Sequence, residues 1–183
     1  MNGTMGRIGR LALALVAGGA LLLGTVAGAG AGNITTTNGV VGGARTLSTA
    51  DSANLSTTLS GEDLVVSGDL GASTVVDATG SGAGWNLTVS MSPFTTAAGK
   101  TLPSGAALTI TGVSVVKNAG KAPVNTVVYP VTVGASAVKF YSAAADSGMG
   151  KFTVTPAVSL SVPADTYAGT YATTITMSVV AGP

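Results

Sequence analysis

The sequence predicts an all-β fold, an antiparallel β-sandwich or barrel-like domain, and three observations carry that reading. Beyond Gly32 the chain is built mainly from Val, Thr, Ser, Ala and Gly, and β-branched side chains suit a pleated surface. Apolar and hydroxylated residues alternate with a period of two in several short runs, parted by Gly and Pro turn signals at roughly 8–12-residue spacing. No segment past the leader sustains an apolar 3.6-residue period, and no internal repeat points to a solenoid.

Residues 1–31 have the order of a secretory signal peptide. Arg7 and Arg10 form a positive start, Leu11–Leu23 is almost wholly apolar, and the small residues Ala27–Ala31 offer two A-x-A cleavage sites. Cleavage is expected after Ala29 or Ala31. An uncleaved anchor helix is the alternative, weakened by the short apolar stretch and its Gly content. Removing the segment leaves six basic and seven acidic side chains, a net of about −1.

Residues 32–50 are Gly/Thr/Asn-rich and read as a flexible leader or an edge strand; residues 51–183 then form one β domain. Leu55, Thr57 and Leu59 alternate with Ser56, Thr58 and Ser60. Leu64–Val66 and Thr74–Val76 are short apolar runs bounded by glycines. Trp85, Leu87, Val89 and Met91 alternate with Asn86, Thr88, Ser90 and Ser92. Leu108–Val116 is a further strand, with Leu108 and Ile110 on one face. Thr126–Val133 carries Pro130, which places it at an edge or a bulge. Val138–Tyr141 is a short strand, and Ala135–Ala145 is the one place where a helical turn is allowed. Lys151–Leu160 keeps its alternation across Pro156, which marks a bend or an edge. Tyr171–Val179 is the most regular run, apolar on one face and hydroxylated on the other, as a half-buried antiparallel strand requires.

Composition narrows the function. With 8 Lys+Arg among 183 residues there is no basic patch for nucleic acid, and the absence of His and Cys removes imidazole catalysis, thiol nucleophiles and most metal sites. A Cys-free exported domain must be held by packing rather than by disulfides. No Cys follows the apolar leader and no L-P-x-T-G motif is present, so any attachment to a surface is expected to be non-covalent.

The run Asp77-Ala-Thr-Gly-Ser-Gly-Ala-Gly-Trp85-Asn86-Leu87-Thr-Val resembles the first half of a WxL domain, a bacterial, secreted, cell-surface family. Phe94, Gly99, Leu102 and Pro103 stand where that family carries an aromatic and a Gly/Leu/Pro-rich turn. Val162–Tyr171 is similar to its approach to the closing strand, where a second W-x-L is usual; here Met177-Ser178-Val179 takes its place. The resemblance covers roughly residues 40–183. It implies an all-β domain that associates non-covalently with the cell wall through peptidoglycan, in complexes with other secreted surface proteins, without catalysis or cofactor.

The candidate residues each admit a functional and a structural role. The indole of Trp85 can stack on a sugar ring, or anchor the core on the same face as Leu87 and Val89; the alternation favours the core. Trp85, Asn86 and Leu87 are the motif candidates for wall contact. Tyr129 and Tyr167 are candidates for an exposed glycan-binding face, while Tyr171 shares the phase of Ile175 and reads as core. Asp77 with Gly80–Gly84 lacks the spacing of a phosphate loop and reads as a flexible hairpin turn. Glu62, Asp63 and Asp69 read as solvated turn charges rather than a cation site. Ser136-Ala-Val-Lys139 matches S-x-x-K without its companion motifs. The sequence-level expectation is a non-catalytic wall-associated protein with no cofactor, no metal and no nucleic-acid partner. The second expectation is a self-associating subunit of a filament or surface layer, because few edge strands carry a guarding Lys.

Overall fold

The computed structural model describes residues 37–183; the expected signal peptide lies outside them. Residues 37–41 are exposed and belong to no strand. Gly42–Pro183 forms a compact unit of nine strands with no helix among the described residues. They are β1 (Arg45–Ser48), β2 (Leu64–Asp69), β3 (Ser73–Asp77), β4 (Trp85–Met91), β5 (Ala107–Gly120), β6 (Val131–Val133), β7 (Val138–Ala143), β8 (Gly150–Val162) and β9 (Ile175–Ala181).

The fold is a sandwich and not a closed barrel. One sheet runs β1-β3-β8-β5-β6 with β2 also on β8; the other runs β7-β4-β9, and every pairing is antiparallel. The long strand β8 organises the first sheet. Phe152, Val154, Pro156, Val158, Leu160 and Val162 point inward, and hydroxylated neighbours point outward. Val75 pairs with Phe152, Ile110 with Val158 and Leu108 with Leu160, so the inner faces of β3, β5 and β8 coincide. From the second sheet Trp85, Leu87 and Val89 of β4 and Phe140 and Tyr141 of β7 close on them.

Several expectations are corrected. Pro156 sits in the central strand, neither at an edge nor at an end. β2 and β3 lie end to end along the same side of β8, meeting it at Ala157–Val162 and Gly150–Val154. The Pro156 carbonyl accepts from Leu70 N–H at 3.0 Å in the break between them. N–H and C=O of one strand residue face the same edge, so the missing N–H of proline falls in that break and costs no ladder bond. Residues 55–59 join no ladder, and of them only Leu55 is partly buried. Of Thr126–Val133 only Val131–Val133 pairs, as the edge strand β6 with Pro130 just before it. The helical turn allowed at 135–145 is absent: β7 takes Val138–Ala143, and the residues on either side form no helix. The Gly80–Gly84 segment is not a hairpin turn: it carries the chain from β3 in one sheet to β4 in the other.

Neighbouring residues on β7 are both buried because the β4–β7 register slips between Leu87 and Thr88, opposite Phe140. The extra residue of a bulge lets successive side chains turn to one face. Phe140 and Tyr141 are thus both within the core.

Candidate functional site

The W-x-L segment is built into the core. Trp85 is fully buried and Leu87 is 1% exposed. The indole lies 5.8 Å from the Tyr141 ring and 6.2 Å from that of Phe152, both tilted, so it joins the two sheets. Its Nε1–H donates to the Gly148 carbonyl at 2.8 Å. Gly148 holds a positive φ of 69°, and a Cβ there would stand 2.7 Å from Nε1 and 2.5 Å from the Ala143 Cβ. Only glycine lets that turn close under the ring. Asn86, on the same strand, is nearly buried and donates from Nδ2 to the Gly182 carbonyl at 2.7 Å, tying the chain end to β4. Trp85 and Leu87 therefore offer no ring face or methyl to a wall polymer.

Asp77 precedes this segment and is also buried. Its carboxylate meets the Arg45 guanidinium at 3.2 Å across the β1–β3 pair and accepts from the Thr79 hydroxyl at 2.7 Å and backbone N–H at 3.1 Å. Burial by itself pushes the carboxyl up; the Thr79 hydrogen bonds and the Arg45 charge outweigh it and hold it below its ordinary value. The group is a latch for β1 and for the start of the Gly-rich crossing.

Tyr129 is half-buried, contrary to its expected exposure. Its hydroxyl donates to the Phe140 carbonyl at 2.8 Å and accepts from Asn125 Nδ2 at 3.2 Å. That carbonyl belongs to the bulged residue, so the tyrosine satisfies a group the ladder leaves out. Burial raises the Tyr129 hydroxyl above its usual range, against the opposing Asn125 bond. Tyr141 is pushed up to about 12 by burial and then by Tyr129.

Tyr167 stands apart from these, 64% exposed. It sits on the 163–174 loop, which is stitched to the 93–103 loop by Thr95 and Ala172 exchanging backbone bonds at 2.9 and 2.8 Å. Tyr171 is half-buried and donates its hydroxyl to the Tyr167 carbonyl at 2.9 Å, which fixes the backbone beneath the ring. Lys100 Nζ lies 4.5 Å from the Tyr167 ring centroid. Thr96, half-buried, accepts the Lys100 backbone N–H on its hydroxyl at 3.1 Å, and Thr170 of the Tyr167 loop is exposed. This surface holds an aromatic ring, an ammonium and hydroxyls together, and no local motif announces it because its two loops are about 70 residues apart.

Beside it runs a groove of about 930 Å³ between the open flanks of the two sheets. Leu108, Leu160 and Val162 lie on one side, Ile175 and Met177 on the other, and the segment 49–59 crosses it as a strap. Among the described residues no cluster of acids could hold a metal. Asp63 and Asp69 instead accept backbone N–H groups of Ala164 and Gly71, both at 2.9 Å. Ser136 and Lys139 are both exposed.

The sequence profile of the WxL domain, described as surface cell wall-binding, matches residues 46–183. The chain belongs to the WxL domain family. Comparison with curated proteins and with solved structures returns no match. Membership places the protein at the cell surface, on the cell wall. The first motif and the degenerate second one are neighbours in this WxL domain: Leu87 pairs with Val179, Thr88 with Ser178 and Val89 with Met177. Met177 is half-buried and lines the groove. A ring at this position would fill space that the thinner methionine leaves. Met177→Trp is therefore expected to stabilise the fold by about 1 kcal/mol, on the extra apolar area covered. A thermal melt checks this: a rise of roughly 2–4 °C is expected, and a fall would mean that the groove wall cannot accept the indole.

Proposed function

We propose that this WxL-family chain is exported by its N-terminal signal and holds peptidoglycan non-covalently, without catalysis, as one member of a complex of secreted surface proteins. The family match over residues 46–183 carries the proposal. The Tyr167–Lys100 loop surface supports it chemically. A tyrosine ring face packs on the C–H face of a sugar, hydroxyls bond its oxygens, and an ammonium attracts the carboxylates that peptidoglycan bears. The buried W-x-L segment offers no comparable exposed ring.

Sedimentation with purified cell walls tests the reading. The chain from Gly32 onward is expected in the wall pellet at low salt and to be partly released as salt screens the Lys100 attraction. Protein that stays in the supernatant at low salt would overturn it. Tyr167→Ala is expected to weaken wall binding about tenfold while shifting the melting temperature little, because the ring is exposed. Unchanged binding by this variant would remove Tyr167 from the contact.

A further inference from the structure

The strap 49–59 and the strand β2 are matched to each other. β1 runs antiparallel to β3, and β2 and β3 follow one another along one side of β8, so the chain leaving β1 at Ser48 heads antiparallel past β2. Of residues 49–60 only Ala50 and Leu55 are half-buried. Both rest where β2 and its end carry glycine. Leu55 lies against Gly68, where a Cβ would collide with its methyl, and Ala50 lies against Gly71, where a Cβ would stand 2.6 Å from its own. Beyond the strap, residues 60–63 turn the chain back into β2, with Gly61 at a φ of 84°. Yet residues 49–60 make no backbone hydrogen bond to any described residue, so as it stands the strap has no ladder neighbour.

Among the described residues β2 pairs with β8 alone. Leu70 N–H bonds the Pro156 carbonyl in phase with the β2–β8 ladder, so Leu64, Val66 and Gly68 turn their N–H and C=O groups to β8, and Val65, Ser67 and Asp69 turn theirs outward. With Leu55 opposite Gly68, an antiparallel ladder sets Thr57 opposite Val66 and Leu59 opposite Leu64, on the inner face where Val66 and Leu64 pack on the core. The outward groups of Asp69, Ser67 and Val65 then meet Asn54, Ser56 and Thr58, whose side chains fall on the outer face. One register thus fits the edge, the alternation of the strap and the room left by Gly68, with residues 60–63 as the hairpin loop. We infer that the strap is a poised strand: residues 54–59 dock on the outer edge of β2 as a continuation of β1. Docking covers Leu59, which is now 38% exposed, and guards the β2 edge against other chains. It draws the strap to the β2 side of the groove it now crosses, away from Ile175 and Met177. The strap is therefore a gate on the groove, and its movement does not depend on what Tyr167 contacts.

The chain has no Cys, so an introduced pair of thiols reports alone. In the docked register Thr57 and Val66 are a non-hydrogen-bonded pair, with Cα atoms about 4.5 Å apart and within disulfide reach. In the chain from Gly32, Thr57→Cys with Val66→Cys is expected to form its disulfide in oxidised glutathione about tenfold faster than Leu59→Cys with Val66→Cys, which is two residues out of register. Hydrogen exchange followed by NMR on the bridged protein is expected to slow about tenfold at Ser56, Thr58, Val65 and Ser67 and to stay fast at Leu59, the alternation a ladder requires. Ser56→Pro removes an N–H that has no backbone partner in the undocked strap and bonds Ser67 in the docked one. It is expected to slow bridging of the Thr57–Val66 pair about tenfold, with wild-type circular dichroism. Equal bridging rates for the two pairs, a bridged protein without alternating protection, or a Ser56→Pro chain that bridges as fast as its parent would each overturn the inference.

Discussion

Trp85→Ala is expected to destabilise the domain by about 3–5 kcal/mol, the range for removing a fully buried large aromatic side chain. The indole is unexposed, contacts rings from both sheets and bonds the Gly148 carbonyl. Truncation leaves a cavity between β4, β7 and β8 and orphans that carbonyl. A loss of this size can exceed half the stability of an ordinary domain, so the variant is expected to be largely unfolded at growth temperature. Trp85→Phe retains a ring but loses the donor and part of the volume, with an expected loss of about 2 kcal/mol. Urea titration at neutral pH measures both. Midpoints that match wild type would show that the indole is not what joins the sheets.

Asp77→Ala is expected to cost about 3 kcal/mol, the lower end for breaking a buried ion pair from one side. The substitution strands Arg45, whose side chain is only 11% exposed, and frees the Thr79 N–H. In a domain of this size the melting temperature is expected to fall by roughly 10 °C. The same group sets an acid limit. The carboxyl is lowered in the folded state, so its contribution is whole above the unfolded carboxylate range near ~3.9 and is lost as pH falls through the folded value. Wild type is therefore expected to lose stability below about pH 4, and Asp77→Asn to lose less over the same interval. Melting curves from pH 7 to pH 3 on both proteins give the comparison; parallel curves would remove Asp77 from the acid response.

The period-two pattern made the faces legible and left the partners hidden. Alternation along Trp85–Met91 and across Lys151–Leu160 marks the sides turned inward, and those residues form the core. Nothing local says that β2 and β3 lie end to end, so Pro156 looks like an edge residue when read alone. The Leu55–Leu59 alternation is as regular as that of some true strands, yet a ladder needs a neighbour in register and this stretch has none. Tyr129 reads as a free ring because the Phe140 bulge that claims its hydroxyl is visible only after β4 and β7 pair. The wall-facing candidate was half legible: Tyr167 stands out as an aromatic in a polar turn, whereas Lys100 joins it only through the Thr95–Ala172 stitch.

On the proposed reading the family signature holds the sandwich together, and the loops at its end meet the wall. Wall sedimentation of folded Trp85→Phe beside Tyr167→Ala, at one temperature below both melting points, tests that division most directly. The expected result is wild-type binding by Trp85→Phe and about tenfold weaker binding by Tyr167→Ala. Lost binding in a folded Trp85→Phe, with Tyr167→Ala unaffected, would contradict it.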